Sequence, residues 1–105
     1  MTDRSIKDPP AHAEKITLRH YITGKSPNSI RSIANLRAIC RRHFPGICKV
    51  EMIDVLKNPM VALRDGVYVS PTLIKISPPP VCKIIGDLSE ERAVLHALGF
   101  EEQEK

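Results

Sequence analysis

Apolar residues at 16, 18 and 22 alternate with polar ones in Ile16-Thr17-Leu18-Arg19-His20-Tyr21-Ile22-Thr23, the period of two expected of a half-buried strand. In Gly24-Lys25-Ser26-Pro27-Asn28-Ser29 the pattern breaks and a helix begins, with Ser26 before Pro27 as one possible N-cap and Asn28 or Ser29 as others. Ile30, Ile33, Leu36, Ile39, Cys40 and Phe44 then recur at helical spacing and are expected to face a core, while Arg31, Asn35, Arg37, Arg41 and Arg42 take the opposite side. Pro45-Gly46 stops this helix. Residues 49–55, with Val50, Met52, Ile53 and Val55, read as a second strand, and the strand–helix–strand run predicts a right-handed unit with a parallel pair. Asn58-Pro59 opens a short helix that ends at Asp65-Gly66. Residues 72–76 and 81–85 are strand-like and flank Ser77-Pro78-Pro79-Pro80, predicting an antiparallel hairpin with a stiff connection. Ser89 is the expected cap of a last helix with Glu90 and Glu91 in its first turn, Val94, Leu95 and Leu98 as its apolar stripe, and Gly99-Phe100 as its ending. The predicted order is βαβαββα, a mixed α/β (α+β) chain.

Composition narrows the class. With 105 residues, 42% hydrophobic and 4% aromatic, the chain suits one small domain with an aliphatic core, and self-association as a dimer or tetramer is expected. Residues 1–14, containing Asp8-Pro9-Pro10, read as a flexible tail, 15–100 as the domain, and 101–105 as a short acidic tail. Cysteines at 40, 48 and 82 are odd in number and lack a Cys-x-x-Cys pair, which argues for a reducing cytoplasm over a disulfide framework. No stretch approaches the roughly 20 apolar residues of a membrane span, and the polar opening lacks the core of a signal peptide. The expectation is a cytoplasmic protein that engages no membrane.

The net charge of +4 is unevenly spread. Through Gly46, Arg4, Lys7, Lys15, Arg19, Lys25, Arg31, Arg37, Arg41 and Arg42 face only Asp3, Asp8 and Glu14. No aromatic stacking platform, zinc-finger spacing or helix-turn-helix pattern accompanies this excess, so a solvated or protein-binding face is favoured over nucleic acid. Cys40, His43 and Cys48 suggest a metal only weakly, because Cys40 falls on the apolar helix face and no fourth ligand has suitable spacing. His12, His20 and His96 show no pairing with a nucleophile in the sequence. Asp54 and Asp87, at strand ends, could be imagined as a carboxylate dyad but are expected to cap turns or helix starts.

The element order is similar to that of thioredoxin-like proteins, which carry a Cys-x-x-Cys pair between the first strand and first helix. Here Ser26 and Ser29 stand at those positions. An unactivated serine supports no thiol–disulfide exchange, which needs a thiolate. Val69-Ser70-Pro71-Thr72 matches the place of that fold's cis-proline, and Pro71 is compatible with a cis bond or with a trans strand start, since the two differ by only about 0.5 to 1 kcal/mol.

Four segments carry a narrower resemblance: Gly24-Lys25-Ser26-Pro27-Asn28-Ser29, Ile53-Asp54-Val55-Leu56-Lys57-Asn58-Pro59, Ser70-Pro71-Thr72-Leu73-Ile74-Lys75, and Pro78-Pro79-Pro80-Val81-Cys82-Lys83-Ile84-Ile85-Gly86-Asp87-Leu88-Ser89. In this order they closely resemble the KaiB family of circadian-clock proteins, from about Ile16 to Leu98. The resemblance implies no catalysis and no cofactor. It implies binding to the ATPase ring of KaiC, capture of KaiA and exchange with clock histidine kinases, in circadian or stress-response signalling. The family's KaiC-facing surface maps onto Arg31, Lys49, Glu51, Lys57, Lys75 and Lys83, each of which alone reads as an ordinary solvated charge.

The resemblance further implies two folds for one sequence: a self-associating ground state of order βαββααβ and a thioredoxin-like state that binds KaiC. Residues 81–85 have strand propensity, yet become helical if Gly86 is tolerated at about 1 kcal/mol. Pro71, Pro78, Pro79 and Pro80, with Gly86 and Asp87, lie in the segment that would rearrange. Proline isomerisation, with its barrier of roughly 18 to 20 kcal/mol, is expected to slow the switch, one or more of these bonds differing between the states. Ala97 stands where the family commonly has glycine and favours helix by roughly 0.8 to 1 kcal/mol, biasing the chain toward the binding fold. Two alternatives accompany this reading: a thioredoxin-like protein that has lost its redox pair, and a stand-alone domain of the kind fused to clock histidine kinases.

Overall fold

Hydrogen bonding organises the chain as β1 (Ile16–Ile22), α1 (Pro27–His43), β2 (Cys48–Asp54), α2 (Pro59–Arg64), β3 (Thr72–Ser77), β4 (Cys82–Ile85) and α3 (Glu91–Ala97). This is a computed structural model, and it describes residues 15–99. The tails expected at 1–14 and 101–105, and Phe100, lie outside the described residues. The order βαβαββα is the predicted one. The four strands form one sheet in the order β2-β1-β3-β4, with β1 and β2 parallel and the β1/β3 and β3/β4 pairs antiparallel.

Strand alternation divides the core into two layers. Ile16, Leu18 and Leu73 point to the face covered by Leu36 and Ile39 of α1 and by Val94 and Leu95 of α3. Tyr21, Ile53 and Ile74 point to the other face, under Ala62 of α2 and Val67. Helices on both sides explain why β1 and β3 are buried almost throughout.

Helix α1 starts at Ser26, whose hydroxyl accepts the Ser29 N–H at 3.3 Å, with Pro27 in the first turn. Arg41, Arg42 and His43 occupy its last turn, where positive charge complements the helix dipole. Its buried face differs from the expected one. Ile30 is 54% exposed, and Ser29 and Ser32, both at 0%, face the sheet instead. Small hydroxyl side chains let the start of α1 approach β1 closely and satisfy its polar groups: Ser29 Oγ accepts Thr23 N–H at 2.9 Å, and Ser32 Oγ lies 2.5 Å from His20 Nε2.

Helix α3 also departs from expectation, because Ser89 does not cap it. Glu90 occupies the N-cap position without a side-chain bond, and Asp87 Oδ1 instead accepts Ser89 N–H at 3.0 Å. The intervening Leu88 adopts φ 65°, an uncommon conformation for leucine, which accompanies its burial in the core. The Ser70–Pro71, Ser77–Pro78 and Pro79–Pro80 peptide bonds are cis.

Candidate partner-binding surface

The sheet leaves β2 as an edge strand, with β1 on one side of it only. Val50 and Met52 of this strand are 39% and 46% exposed, so the period of two seen in its sequence presents apolar side chains at an open edge. Such an edge offers unpaired main-chain groups to an incoming strand. At the end of β2, Asp54 Oδ1 accepts both Gly24 N–H at 3.1 Å and Leu56 N–H at 3.0 Å. This carboxylate is the turn cap expected of it, and it joins the loop before α1 to the loop before α2.

Further exposed apolar side chains follow along the chain from this junction. Leu56, Met60, Leu63, Tyr68 and Val69 are all more than half exposed. Gly24 adjoins Leu56, where a Cβ would make ordinary contact at 3.5 Å with Leu56 Cδ1, and it is the φ of +48° that would strain a side chain. Thr23 Oγ1 hydrogen-bonds Ser70 Oγ, bringing the loop that contains cis-Pro71 to the serine-substituted loop. Ser26 and Ser29 serve the helix start rather than any chemistry, the first as cap and the second as acceptor from Thr23.

The charged residues assigned to this surface by resemblance separate into three groups. Lys49 and Glu51 are exposed on β2, Lys57 is exposed in the following loop, and Lys83 is exposed on β4 with Nζ donating to Gly66 O at 2.7 Å. Arg31 is exposed on α1 and pairs with Asp87 at 3.4 Å and with Asn28. Lys75 contradicts its assignment: it is 3% exposed, and its Nζ donates to Leu98 O at 2.8 Å. Alternation along β3 places it beneath α3, where its ammonium serves a carbonyl at the helix end. Asp87 is held below the usual carboxylate range by hydrogen bonds from Ser89 and then by Arg31. Gly86 adopts φ +121° beside it, and Ala97 is exposed at the last position of α3.

Glu51 extends inward through Arg19, whose Nε donates to Glu51 at 3.1 Å and whose Nη1 donates to Asp65 at 3.2 Å. The buried Tyr21 hydroxyl also donates to Asp65. That bond, followed by the pairing with Arg64 and Arg19, lowers the Asp65 pKa, while burial pushes Tyr21 up to about 12. Periodicity alone missed this network, because tyrosine at position 21 counts as one more strand residue.

His20 corrects a further expectation, since it does pair with a hydroxyl, that of Ser32. Both side chains are enclosed, at 1% and 0% exposure, and burial lowers the His20 pKa to about 4, so the ring is neutral. His43 turns to Glu91 and leaves the cysteines. Among the described residues no group of three or more His, Cys, Asp or Glu could hold a metal ion, and no helix is long and apolar enough to cross a membrane.

Comparison with known proteins adds an independent line. The family model of the KaiB domain matches residues 19–100. The circadian clock oscillator protein KaiB of Nostoc sp. is 49% identical over 81 residues, covering 77% of this chain and 75% of that protein. Its counterpart in Gloeothece citriformis is 47% identical over 81 residues, covering 77% and 76%. Among solved structures, the N-terminal domain of Synechococcus elongatus SasA superposes with a TM-score of 0.69 at 20% identity, covering 93% of this chain and 96% of that one. Chloroplastic thioredoxin z superposes at 0.68 with 17% identity, covering 94% and 88%. Identities this low speak to fold alone, and the fold is thioredoxin-like. The family-model match over most of the chain and the near-half identity to KaiB proteins show that this chain belongs to the KaiB family.

Proposed function

We propose that the protein is a non-enzymatic regulatory binding protein of the cytoplasm that docks on a KaiC-type ATPase ring and modulates its phosphorylation or ATPase state, in a circadian or stress-response system. The observation that carries this reading is the family match across residues 19–100, in a chain whose first-helix loop holds Ser26 and Ser29 where thiol chemistry would need cysteines. Two surface features support it. The open edge of β2 supplies main-chain hydrogen bonds, and the adjoining apolar group around Leu56, Met60 and Tyr68 supplies area to bury. Lys49 and Glu51 on β2 and Lys57 in the loop after it lie at this edge and set association rate and register more than affinity, while Arg31 on α1 and Lys83 on β4 carry charge elsewhere on the surface. KaiA or a clock histidine kinase is the further partner, competing or joining at the bound form.

The reading includes self-association and a fold switch. In the free state the second half, from Pro71 through Ala97, repacks into the order βαββααβ against a constant β1-α1-β2 frame, and the thioredoxin-like arrangement is the binding form. Gel filtration of the full chain alone, and with a KaiC-type ATPase with and without ATP, tests it. The expected result is a dimer or tetramer alone and a complex that forms slowly with the nucleotide-loaded ring. A chain that never co-elutes with the ring, whatever the nucleotide and incubation time, would overturn the reading. Reduction of insulin disulfides by the protein would favour a redox function instead.

A further inference from the structure

Cys40 lies in the last turns of α1 and Cys48 opens β2, and the connection between them is tied down locally. Phe44 N–H donates to Cys40 O at 2.9 Å, and Ile47 N–H donates to Phe44 O at 3.2 Å. This turn brings both cysteines into the lining of one cavity of about 510 Å³ between α1 and β2. Both pack against the same core layer, both are partly exposed, and neither is in a disulfide. Each thiol shifts the other's pKa, that of Cys40 being lowered and that of Cys48 raised. Cys82 is placed apart, its Sγ donating to Ala97 O at 2.9 Å.

We propose that Cys40 and Cys48 form a redox-active dithiol, a modification site that closes reversibly to an intramolecular disulfide on exposure to a small-molecule disulfide such as oxidised glutathione. The Cys40 thiolate attacks one glutathione sulfur, forming a mixed disulfide and releasing the first glutathione thiolate. Cys48 then gives up its proton and attacks the Cys40 Sγ, forming the Cys40–Cys48 bond and releasing the second. The two thiol protons end on the two glutathiones, so the protein is oxidised by two electrons and glutathione disulfide is reduced by two.

The position explains why Cys40 is the attacking group. The neighbouring Cys48 thiol lowers the Cys40 pKa, and Arg37 and Arg41 line the same cavity with positive charge. A thiol at the other end of α1 would have the helix N-terminus to stabilise its thiolate, whereas here the helix end opposes negative charge and the partner thiol and the arginines offset it. Closure would pin the end of α1 to the start of the edge strand. The site is independent of the KaiC-binding reading, since it concerns thiols that face a cavity of this chain alone.

Equilibration of the full chain in glutathione buffers from reducing to oxidising, followed by alkylation, intact mass measurement and peptide mapping, tests the pair. The expected product is lighter by two hydrogens and yields a Cys40–Cys48 cross-linked peptide in the wild type and in Cys82→Ser. In Cys40→Ser and Cys48→Ser the cross-link is lost and a glutathione adduct accumulates on the remaining thiol. Folded wild type, verified by circular dichroism, that shows only glutathione adducts or linkages through Cys82 at the oxidising limit overturns the proposal. Should the serine variants fail to fold, the maps of wild type and Cys82→Ser decide it.

Discussion

His20 shows how burial converts a common residue into a pH-dependent contribution to stability. Its folded pKa of about 4 lies below the ordinary 6.5, so between these values the unfolded chain binds the proton more readily. Stability is therefore full above pH 6.5 and falls as pH drops toward 4, by a total on the order of 3 kcal/mol. Denaturant unfolding at pH 7, 5.5 and 4 should show this loss, and His20→Gln should flatten it. Asp65 acts in a separate, more acidic window. Its lowered pKa contributes stability above 3.8 that disappears as pH falls through the folded value. Asp65→Ala should lower unfolding stability at pH 7 by about 1.5 kcal/mol, because the buried Tyr21 hydroxyl and Arg19 both lose an acceptor.

Among the elements, α1 was the most legible in the sequence, since Ser26, Pro27 and Pro45-Gly46 bracket it by local chemistry that needs no tertiary information. Ser26→Ala should cost about 1 kcal/mol, read as a fall in melting temperature of roughly 4 to 8 °C. Its rotation was not legible. Apolar spacing favoured Ile30 as a core residue, but contact with β1 selected Ser29 and Ser32, which fit where a larger side chain would not. In the case of α3, Lys75 supplies a tether that its sequence context concealed. A lysine in a strand reads as surface, yet this one bonds Leu98 O from beneath the helix end. Lys75→Met should lower stability by about 1.5 to 3 kcal/mol in chemical denaturation, marking it as a structural residue instead of a contact. Ala97 occupies the final helical position, exposed, where its preference over glycine acts on the fraying end of α3.

Considered as one molecule, the protein presents a filled two-layer core and a partly apolar rim, concentrated along β2 and at the loops that converge near Gly24. Exposed apolar side chains at an open strand edge suit association. Met52→Glu places a charge at the open edge with little consequence for folding, within about 0.5 kcal/mol. If the proposed docking on a KaiC-type ATPase uses this edge, the substitution should weaken that complex at least about tenfold, measured by gel filtration or interferometry. Replacing Lys57 or Lys49 should alter the association rate and its salt dependence more than the dissociation rate.

The sequence by itself determined the element order, the parallel β1/β2 pair, the proline-linked hairpin, the loss of the thioredoxin-type thiols and the family. Each of these rests on local signals: periodicity, caps, turn residues and contiguous motifs, which a linear chain carries in full. Tertiary structure decided what those signals leave open. It buried Lys75, paired His20 with Ser32, joined Tyr21 to Asp65, left β2 at the sheet edge, and brought Cys40 to Cys48. All five depend on which strand lies beside which and on how far each helix is rotated over the sheet. Those quantities are set by packing between residues distant in sequence, so local preference does not encode them.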